Sequence, residues 1–421
     1  MPDHESIFSV RQILAKKISA GTIDNKVVEL LLPNGSPRET EDDLWDYKKD
    51  FVTKRADTGK HSDTSIHEIV KDVVSFYNSY GGYIVFGVQD SPRTICGLST
   101  SIDTDQIQKT CKQYTSEQIN ISYSSFEITY SGHDYNVGFL YIPKRPDSRL
   151  PVQFKKAAPE SAQGRRAFKK DDIYLRRGAE CIPAHSAEDY EMLFKASRRI
   201  QGSESILSHS VLDHNLRDRD PTFIEFIGRD DYLRELWRWL LDRFNTVKLL
   251  TGFGGVGKTT IAREFSEEII ETSPCGFQKV IWFTAKQQMY IPFDGGRRAT
   301  PPGQQPHFSD ATFVIKDLLG ELGLLDDEVA ALESEEELIE KTIEALTLTP
   351  TFVVFDDLDT LDAESQYDLF HKILLIFGQA LARAQVPSRA LVTARQDLGA
   401  GPAQRLRVSG FNYEEFCDYV S

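Results

Sequence analysis

The sequence predicts an α/β protein with two folded domains, an N-terminal α+β domain followed by a parallel β-sheet flanked by helices. Four apolar segments alternate with helical patterns, which is typical of a doubly wound parallel sheet. They are residues 247–251, 279–283, 351–355 and 390–393. Upstream, residues 38–198 mix helical and strand patterns, which indicates an α+β domain. At 421 residues the chain is long enough for two or three domains.

The N-terminal elements follow from apolar spacing. Residues 1–37 are predicted to form a helical segment, an appendage or a docking element, that ends in the breaker Pro33-Asn-Gly-Ser-Pro37. A helix over 66–77 and strands over 83–87 and 135–142 are then predicted within domain 38–198. Polar residues 199–221 indicate a linker, and residues 222–421 make the second domain.

Composition restricts the class of protein. Lys and Arg total 49 against 64 Asp and Glu, a formal charge of −15, which argues against a wholly basic nucleic-acid coat. The N-terminus lacks the basic and apolar regions of a leader, and no apolar run reaches the roughly 18 residues of a membrane helix. Five cysteines are scattered without a C-x-x-C pair. We therefore expect a cytoplasmic protein without a membrane partner.

A glycine-rich loop follows the first apolar strand of the second domain. Residues Gly252 to Thr259 fit G-x-x-x-x-G-K-[ST] between a strand and a helix, which predicts binding of a nucleoside triphosphate. Backbone N–H groups of such a loop wrap the phosphates, the lysine reaches the β and γ phosphates, and the hydroxyl binds Mg²⁺. The predicted binding residues are Gly252, Gly254, Gly255, Gly257, Lys258, Thr259 and the adjacent Thr260. A glycine turn that only joins strand to helix is the alternative.

Two further strands of this domain end in charged residues. Residues 351–355 lead to Asp356 and Asp357, at the sheet edge where open α/β sheets bind ligands. We expect Asp356 to organise Mg²⁺ with Thr259 and Asp357 to orient or deprotonate the attacking water. Arg395, just after strand 390–393, is predicted to contact the γ-phosphate. An acid-rich turn and a surface arginine are the alternatives.

The segment Phe226-Ile-Gly-Arg-Asp230, with these motifs, makes residues 222–421 resemble the STAND and NB-ARC branch of AAA+-related NTPases. The resemblance implies ATP rather than GTP, with Gly228 and Arg229 beside the adenine. A helix-capping turn with Asp230 as the cap is the alternative. The family continues into helical and winged-helix modules that close over the nucleotide. Residues 410–421 do not resemble them, so we expect a partner or a further segment to supply this sensor region.

The first domain carries a candidate site for phosphodiester chemistry. Asp46 and Lys48 are two residues apart, on one face if they lie in a strand, and Glu41 precedes Asp46 by five residues. Carboxylates of this kind can hold a divalent ion, and a lysine can stabilise the pentavalent phosphate. Asp90 is a candidate to join them. The alternative is a solvated acidic turn, since Glu39, Asp42 and Asp43 lie alongside.

Residues 38–198 resemble the Schlafen AlbA-type domain through Asn78 to Asp90, Ile95-Cys-Gly97 and Ile173 to Gly178. Members of that family cut RNA or bind DNA. The resemblance maps the family's acidic positions onto Glu41, Asp46 and Asp90, which we expect to hold Mg²⁺ or Mn²⁺. From its place beside Asp46, we expect Lys48 to be a further catalytic residue. Asp46 stands where glutamate is commoner in the family.

A concentration of basic residues near the end of this domain predicts a nucleic-acid partner. The residues are Lys144, Arg145, Arg149, Lys155, Lys156, Arg165, Arg166, Lys169, Lys170, Arg176 and Arg177. A solubilising loop is the alternative reading of such a run.

Together these features predict an ATP-binding STAND-type switch that controls a metal-dependent nucleic-acid-cleaving domain. The architecture resembles prokaryotic antiviral defence systems, and we expect exchange of ATP and ADP to alter a homo-oligomer. A nucleotide-gated DNA-binding transcriptional regulator without nuclease activity is the main alternative. A protein-binding scaffold whose ATP site stabilises assembly is another.

Overall fold

The computed structural model describes two compact units, each with its own core. The first contains the described residues up to His185 together with Arg198, and the second contains the described residues of 186–195 and 212–411. The described residues are 7–50, 63–90, 92–98, 102–147, 149–160, 164–195, 198, 212–217, 219, 226, 228–284, 288–290, 297–299, 311–384 and 386–411. The description covers the backbone alone at 7–8, 63–65, 90, 288–290 and 297–299.

The first unit is an α+β domain built on a mixed four-stranded sheet of order β1-β2-β6-β5. Strands β1 and β2 are parallel and the other pairs are antiparallel, while β3–β4 and β7–β8 form separate hairpins. Its elements are α1 Ile7–Ala20, α2 Asn25–Leu31, β1 Trp45–Lys48, α3 Asp63–Asn78, β2 Gly82–Phe86, β3 Val88–Asp90, β4 Arg93–Ile95, α4 Thr104–Thr115, β5 Ser122–Tyr130, β6 His133–Ile142, β7 Tyr174–Arg177 and β8 Glu180–Pro183.

The two faces of this sheet are covered by different helices. Val10 and Leu14 of α1 are fully buried in one cluster with Tyr83 and Phe139 of the sheet, so the N-terminal helices complete the core. Helices α3 and α4 contribute to a second cluster with the remaining sheet residues. Burial of apolar side chains on both faces is the main stabilising force for such a layered sheet.

The second unit is an α/β domain with an all-parallel sheet of order β16-β10-β15-β14-β11-β9 among the described residues. The predicted parallel sheet is therefore confirmed, and the short edge strands β9 and β16 add to it. The elements are α5 Ala187–Phe194, β9 Asp213–His214, α6 Asp230–Leu240, β10 Val247–Thr251, α7 Lys258–Thr272, β11 Lys279–Thr284, β12 Gln288–Tyr290, β13 Arg297–Ala299, α8 Ala311–Glu321, α9 Asp326–Ala330, α10 Glu335–Leu348, β14 Thr351–Asp356, α11 Ala363–Arg383, β15 Arg389–Ala394 and β16 Arg405–Arg407.

Helix α5 lies in the second unit, although the sequence placed it in a domain ending at residue 198. The ring of Phe194 stacks on Trp237 of α6 with centroids 4.9 Å apart, and Trp237 meets Phe265 of α7 at 5.0 Å. Trp237 is fully buried. Aromatic stacking and burial explain why α5 stays with this unit. None of the described helices is long and apolar enough to cross a membrane.

The carboxyl of Glu268, on α7 beside Trp237, is predicted to make stability fall as pH rises. Burial, reinforced by the nearby carboxylates of Glu191 and Glu264, raises the pKa of Glu268 to about 8. The folded state then keeps a proton that the unfolded chain releases near its ordinary pKa of 4.5, so stability is lost as pH rises between these values. Glu268→Gln keeps an acceptor for the Trp237 Nε1 bond of 2.8 Å but carries no charge.

We expect Glu268→Gln to gain about 2 kcal/mol over the wild type at pH 9, less than the full shift because the carboxyl is partly exposed. The gain should shrink towards zero near pH 5, as measured by thermal unfolding. Glu336→Gln, at an exposed position of α10, is the control and should show no such trend. A gain of equal size at both pH values would contradict the assignment.

Candidate functional site

The glycine loop connects β10 to α7 with backbone angles that favour glycine. Gly255 and Gly257 have φ values of +84° and +93°, and Gly257 stands at the N-cap of α7. Such a loop followed by a helix start presents N–H groups and a positive dipole end to an anion. At Gly252 an added Cβ would lie 2.4 Å from the carbonyl oxygen of Val408, so a side chain there would collide with the chain that leaves β16.

Lys258 begins α7 and turns its ammonium towards the loop. The residue is 6% exposed, and its Nζ donates to the carbonyl oxygens of Gly252 and Phe253 at 3.0 and 3.2 Å. The amine thus lies inside the curve of the loop that would bind the phosphates. Thr260, two residues into α7, is partly buried.

Thr259 and Asp356 meet as predicted for a magnesium site. The Thr259 hydroxyl donates to Oδ1 of Asp356 at 2.9 Å, and Thr393 of β15 donates to the same oxygen at 2.7 Å. Hydroxyl and carboxylate oxygens are hard donors that suit Mg²⁺, so these residues fit the ion that accompanies a nucleotide. Thr393 also accepts a bond from the Asp357 N–H at 2.9 Å. Thr393 was not predicted from the sequence, because its only signal was a lone hydroxyl in an apolar strand.

Arg395 lies against the glycine loop. Its Nε pairs with Oδ2 of Asp359 at 2.6 Å, and an added Cβ on Gly254 would lie 3.5 Å from its guanidinium carbon. The side chain is 64% exposed, so it keeps access to a ligand on the loop. Asp357, the residue after Asp356, has a left-handed backbone conformation with φ of 59°. This conformation turns the chain away from β14 at the sheet edge that also carries Arg395.

Gly228 and Arg229 precede α6, and both have positive φ values. The Arg229 guanidinium is buried and donates to the carbonyl oxygens of Val256 at 3.1 Å and Ser409 at 2.9 Å. It also lies 4.3 Å from the ring centre of Phe411. The N-cap position belongs to Arg229 rather than to Asp230, which is the first residue of the helix. Arg229 therefore joins the glycine loop to the chain that follows β16.

The first unit contains an open cavity of about 540 Å³ beside β1 and the β7–β8 hairpin. Acidic and basic side chains from five elements and their loops line it together. The lining residues are Glu41, Asp46, Tyr47, Lys48, Lys71, Asp72, Arg93, Arg176, Ala179, Glu180, Cys181 and Ile182. A polar concave surface of this kind is a candidate site for a charged ligand.

Asp46 and Lys48 share one face of β1, as their spacing predicted. Lys48 Nζ lies 2.8 Å from Asp46 and 3.2 Å from Asp72 of α3, while Arg176 of β7 approaches Asp46 at 3.5 Å. Asp46 is 3% exposed, so the idea of a solvated acidic turn is wrong for this residue. Asp72 was not predicted from the sequence, because its only signal was a carboxylate on an otherwise apolar face of α3.

Glu41 reaches the same cavity from the loop before β1. Arg93 lies 3.3 Å from its Oε1, and burial together with the Asp46 carboxylate raises the pKa of Glu41 to about 7. The neighbouring Asp42 and Asp43 both pair with Arg11 of α1 and so are held away from the cavity. In this acidic run, Asp42 and Asp43 therefore pair with Arg11, whereas Glu41 and Asp46 line the cavity.

The predicted metal set of Glu41, Asp46 and Asp90 is brought together only in part. The side chain of Asp90 lies outside the described residues, and within the described part no three His, Cys, Asp or Glu side chains are placed to hold a metal ion. Asp46 is instead paired with two cationic side chains. The described donors therefore do not by themselves form a metal site.

The basic run divides into two buried residues, the partly buried Lys144 and a set of exposed residues. Arg145 and Arg176 are each 2% exposed and bind within the unit. The remaining described members that are exposed to solvent are Arg149, Lys155, Lys156, Arg165, Arg166, Lys169, Lys170 and Arg177. Only the exposed set is available to a phosphate backbone.

Two family models match the chain, one in each unit. Residues 41–185 match the Schlafen, AlbA_2 family, and residues 225–370 match the AAA ATPase domain. An uncharacterized ATP-binding protein of Ureaplasma parvum is 29% identical over 206 residues, which cover 45% of this chain and 55% of that protein. The chain thus spans about half the length of this relative.

Solved structures with partial similarity include archaeal proteins. Cdc6p of Pyrobaculum aerophilum is 14% identical, with 48% of this chain and 51% of that chain covered and a TM-score of 0.34. The ORC1 protein of Aeropyrum pernix, solved in complex with DNA, is 19% identical, with 46% and 48% covered and a TM-score of 0.32. The chain therefore combines a region similar to Schlafen, AlbA_2 domains with a region similar to AAA ATPase domains.

Proposed function

We propose that the AAA domain is a STAND-type ATP switch that controls cleavage of a nucleic acid by the Schlafen domain, in the manner of prokaryotic antiviral defence. The observation that carries the proposal is the charge cluster at an open cavity, in which buried Asp46 and Arg176 pair and partly exposed Lys48 joins them. Buried charges are costly to keep unless they are paired, and such clusters concentrate at functional sites.

The cluster suits chemistry on a phosphodiester. Lys48 and Arg176 supply fixed positive charge near the position where negative charge would develop on a pentavalent phosphate. Glu41 and Asp46 offer carboxylate oxygens for positioning a nucleophile, with the metal requirement as part of the proposal. Exposed basic residues of the same unit, including Lys169 and Lys170, supply charge for holding the backbone.

The AAA domain supplies the control. Lys258 binds the β and γ phosphates, Thr259 and Asp356 hold Mg²⁺, and the ion neutralises charge on the phosphates. Asp357 orients the attacking water, and Arg395 contacts the γ-phosphate and so distinguishes ATP from ADP. Gly228 and Arg229 lie next to the adenine side of the site in this proposal. The switch acts by changing a homo-oligomer or the accessibility of the Schlafen cavity.

The proposal predicts that Asp46→Asn cuts nucleic acid at least 100-fold more slowly than the wild type, because the cavity loses the charge that organises Lys48 and Arg176. Glu41→Gln should also cut nucleic acid more slowly than the wild type. The measurement is a gel assay on labelled RNA and DNA with Mg²⁺ or Mn²⁺, each with ATP, ADP or no nucleotide. Glu180→Gln, at an exposed position on the cavity rim, is the matched control.

Cleavage that depends on ATP and is lost in Asp46→Asn but kept in Glu180→Gln supports the proposal. Labelled RNA and DNA that both remain intact under all conditions would refute the nuclease. Cleavage that persists unchanged in Asp46→Asn would refute the assignment of the cavity. Activity in EDTA equal to that with Mg²⁺ or Mn²⁺ would remove the metal from the proposal.

A second candidate is a nucleotide-gated DNA-binding transcriptional regulator that does not cut. The observation that favours it is the pairing of Asp46 with two cations, which leaves the described residues without a metal site. A duplex that is retained without products, with affinity falling steeply as salt increases, would support this candidate.

A further inference from the structure

Helix α5 has an unusual place in the chain, because it belongs to one unit while its flanking residues belong to the other. The chain up to His185 lies in the first unit, α5 lies in the second, and Arg198 lies in the first again. Covalent continuity therefore ties both ends of α5 to the Schlafen domain, while its buried face packs in the ATPase.

Within the ATPase, α5 is packed on the helix that starts at the glycine loop. Phe194 stacks on Trp237, which meets Phe265 of α7, and Trp237 Nε1 donates to Glu268 of α7 at 2.8 Å. Helix α7 begins at Lys258, the residue that binds the phosphates in the proposed function. A shift of α7 on nucleotide binding would therefore displace α5, because the rings of Phe265, Trp237 and Phe194 are packed in contact.

Within the Schlafen domain, Arg198, which follows α5 in the chain, is connected by hydrogen bonds to the strand that carries Arg176 of the charged cavity. Arg198 is 4% exposed and donates to the carbonyl oxygen of Ser79 at 3.0 Å and of Arg145 at 2.6 Å. The Ser79 hydroxyl accepts the backbone N–H of Arg176 at 2.8 Å, and Arg176 pairs with Asp46. A single residue thus separates Arg198 from the backbone of Arg176.

The N-terminal flank of α5 leads to the same hairpin. Strand β8 ends at Pro183, and the Ala184 N–H donates to the carbonyl oxygen of Ile173 at 2.8 Å, just before β7. Helix α5 then begins at Ala187, where Ser186 and Asp189 form a capping box that fixes its start. Only the segment between Ala184 and Ala187 separates the hairpin that carries Arg176 from the helix packed in the ATPase.

We propose that α5 is the coupling element through which nucleotide binding at the glycine loop changes the position of Arg176 against Asp46. The inference rests on the proposed function for its biological meaning, since it names the regulation of the same cavity. Nucleotide binding at the head of α7 shifts α5, and the connection through Ala184 and Ala187 carries that shift to the hairpin of β7 and β8. In this proposal α5 can occupy two positions. The nucleotide alters the cavity only to the extent that it binds the protein more tightly with α5 in one position than in the other.

Hydrogen exchange on the full chain tests the coupling without any nucleic acid. With ATP and Mg²⁺, the wild type should change its exchange in the glycine loop, residues 252–259, and also in the hairpin, residues 172–183. Phe194→Leu removes the ring that stacks on Trp237 but keeps an apolar side chain. We expect this variant to keep the change in the loop and to lose at least two thirds of the change in the hairpin.

The matched control is Phe377→Leu, since Phe377 is a buried aromatic of α11 in a core cluster that does not include α5. It should keep both changes. A wild type in which ATP alters the loop but not the hairpin would overturn the coupling, and so would a full hairpin response in Phe194→Leu. A loop that does not respond to ATP would overturn both the coupling and the switch.

The outcomes separate this inference from the proposed function. A hairpin response that depends on Phe194, in a protein that leaves RNA and DNA intact, would keep the coupling and refute the nuclease. Cleavage that needs ATP in the wild type and equally in Phe194→Leu would keep the proposed function and refute α5 as its route.

Discussion

Lys258→Ala is expected to lower the affinity for ATP by at least 100-fold, which corresponds to a loss of about 2.7 kcal/mol of binding free energy. The ammonium lies within the loop, bonded to the carbonyl oxygens of Gly252 and Phe253, where it would meet the β and γ phosphates. Charge-assisted bonds to phosphate are among the strongest polar contacts in proteins, and alanine offers no replacement. Isothermal titration with ATP and Mg²⁺ measures the loss directly.

The control for this prediction is Lys341→Ala, which removes a lysine of α10 whose side chain is 43% exposed. Its titration should match that of the wild type. Thermal unfolding in the absence of nucleotide should also be measured, because a folded Lys258→Ala protein that fails to bind isolates the effect to the site. Tight ATP binding by Lys258→Ala would contradict the assignment of the loop as the phosphate cradle.

Arg176→Met is expected to destabilise the first unit by about 3–5 kcal/mol, since it removes one partner of a buried ion pair and leaves Asp46 less compensated. The guanidinium is buried, donates to the carbonyl oxygen of Asp42 at 3.1 Å and lies 4.4 Å from the ring centre of Phe76. Methionine can fill part of the volume but supplies no charge. Urea unfolding followed by probes in the first unit measures the change.

Arg177→Met is the matched control, because the next residue along β7 carries the same charge but is exposed. We expect its stability to stay within about 0.5 kcal/mol of the wild type. If the exposed basic residues hold nucleic acid, Arg177→Met should weaken binding and reduce its salt dependence. Equal stability of the two variants would show that Arg176 is not an internal partner of Asp46.

The ATPase half was predictable because its signals are local. The glycine loop, the apolar strands that flank it and the acidic end of β14 each occupy a few consecutive residues, so their spacing is visible in the sequence. The all-parallel sheet of the second unit confirms the predicted fold class. In the first unit the spacing of Asp46 and Lys48 correctly predicted a shared strand face, since side chains two apart in a strand point the same way.

Other features depend on residues far apart in the chain. Asp72 lies 24 positions after Lys48, and Thr393 lies 37 positions after Asp356, so neither pairing leaves a local pattern. In the basic run, Arg176 and Arg177 look equivalent in sequence, yet only the first turns into the protein to meet Asp46. Arg176 packs over the ring of Phe76 of α3, whereas Arg177 is exposed to solvent.

The sequence by itself determined the α/β fold class, the order of strand, glycine loop and helix that contains Lys258 and Thr259, and the strand that carries Asp46 and Lys48. The tertiary structure decided that Arg176 and Asp72 complete the charged cavity and that α5 packs in the ATPase although its neighbours along the chain do not. The physical reason is range. The periodicity of helices and strands depends on neighbouring residues, so it can be read from the sequence. Burial and charge pairing depend on side chains that are distant in the chain and close together in the folded, desolvated interior.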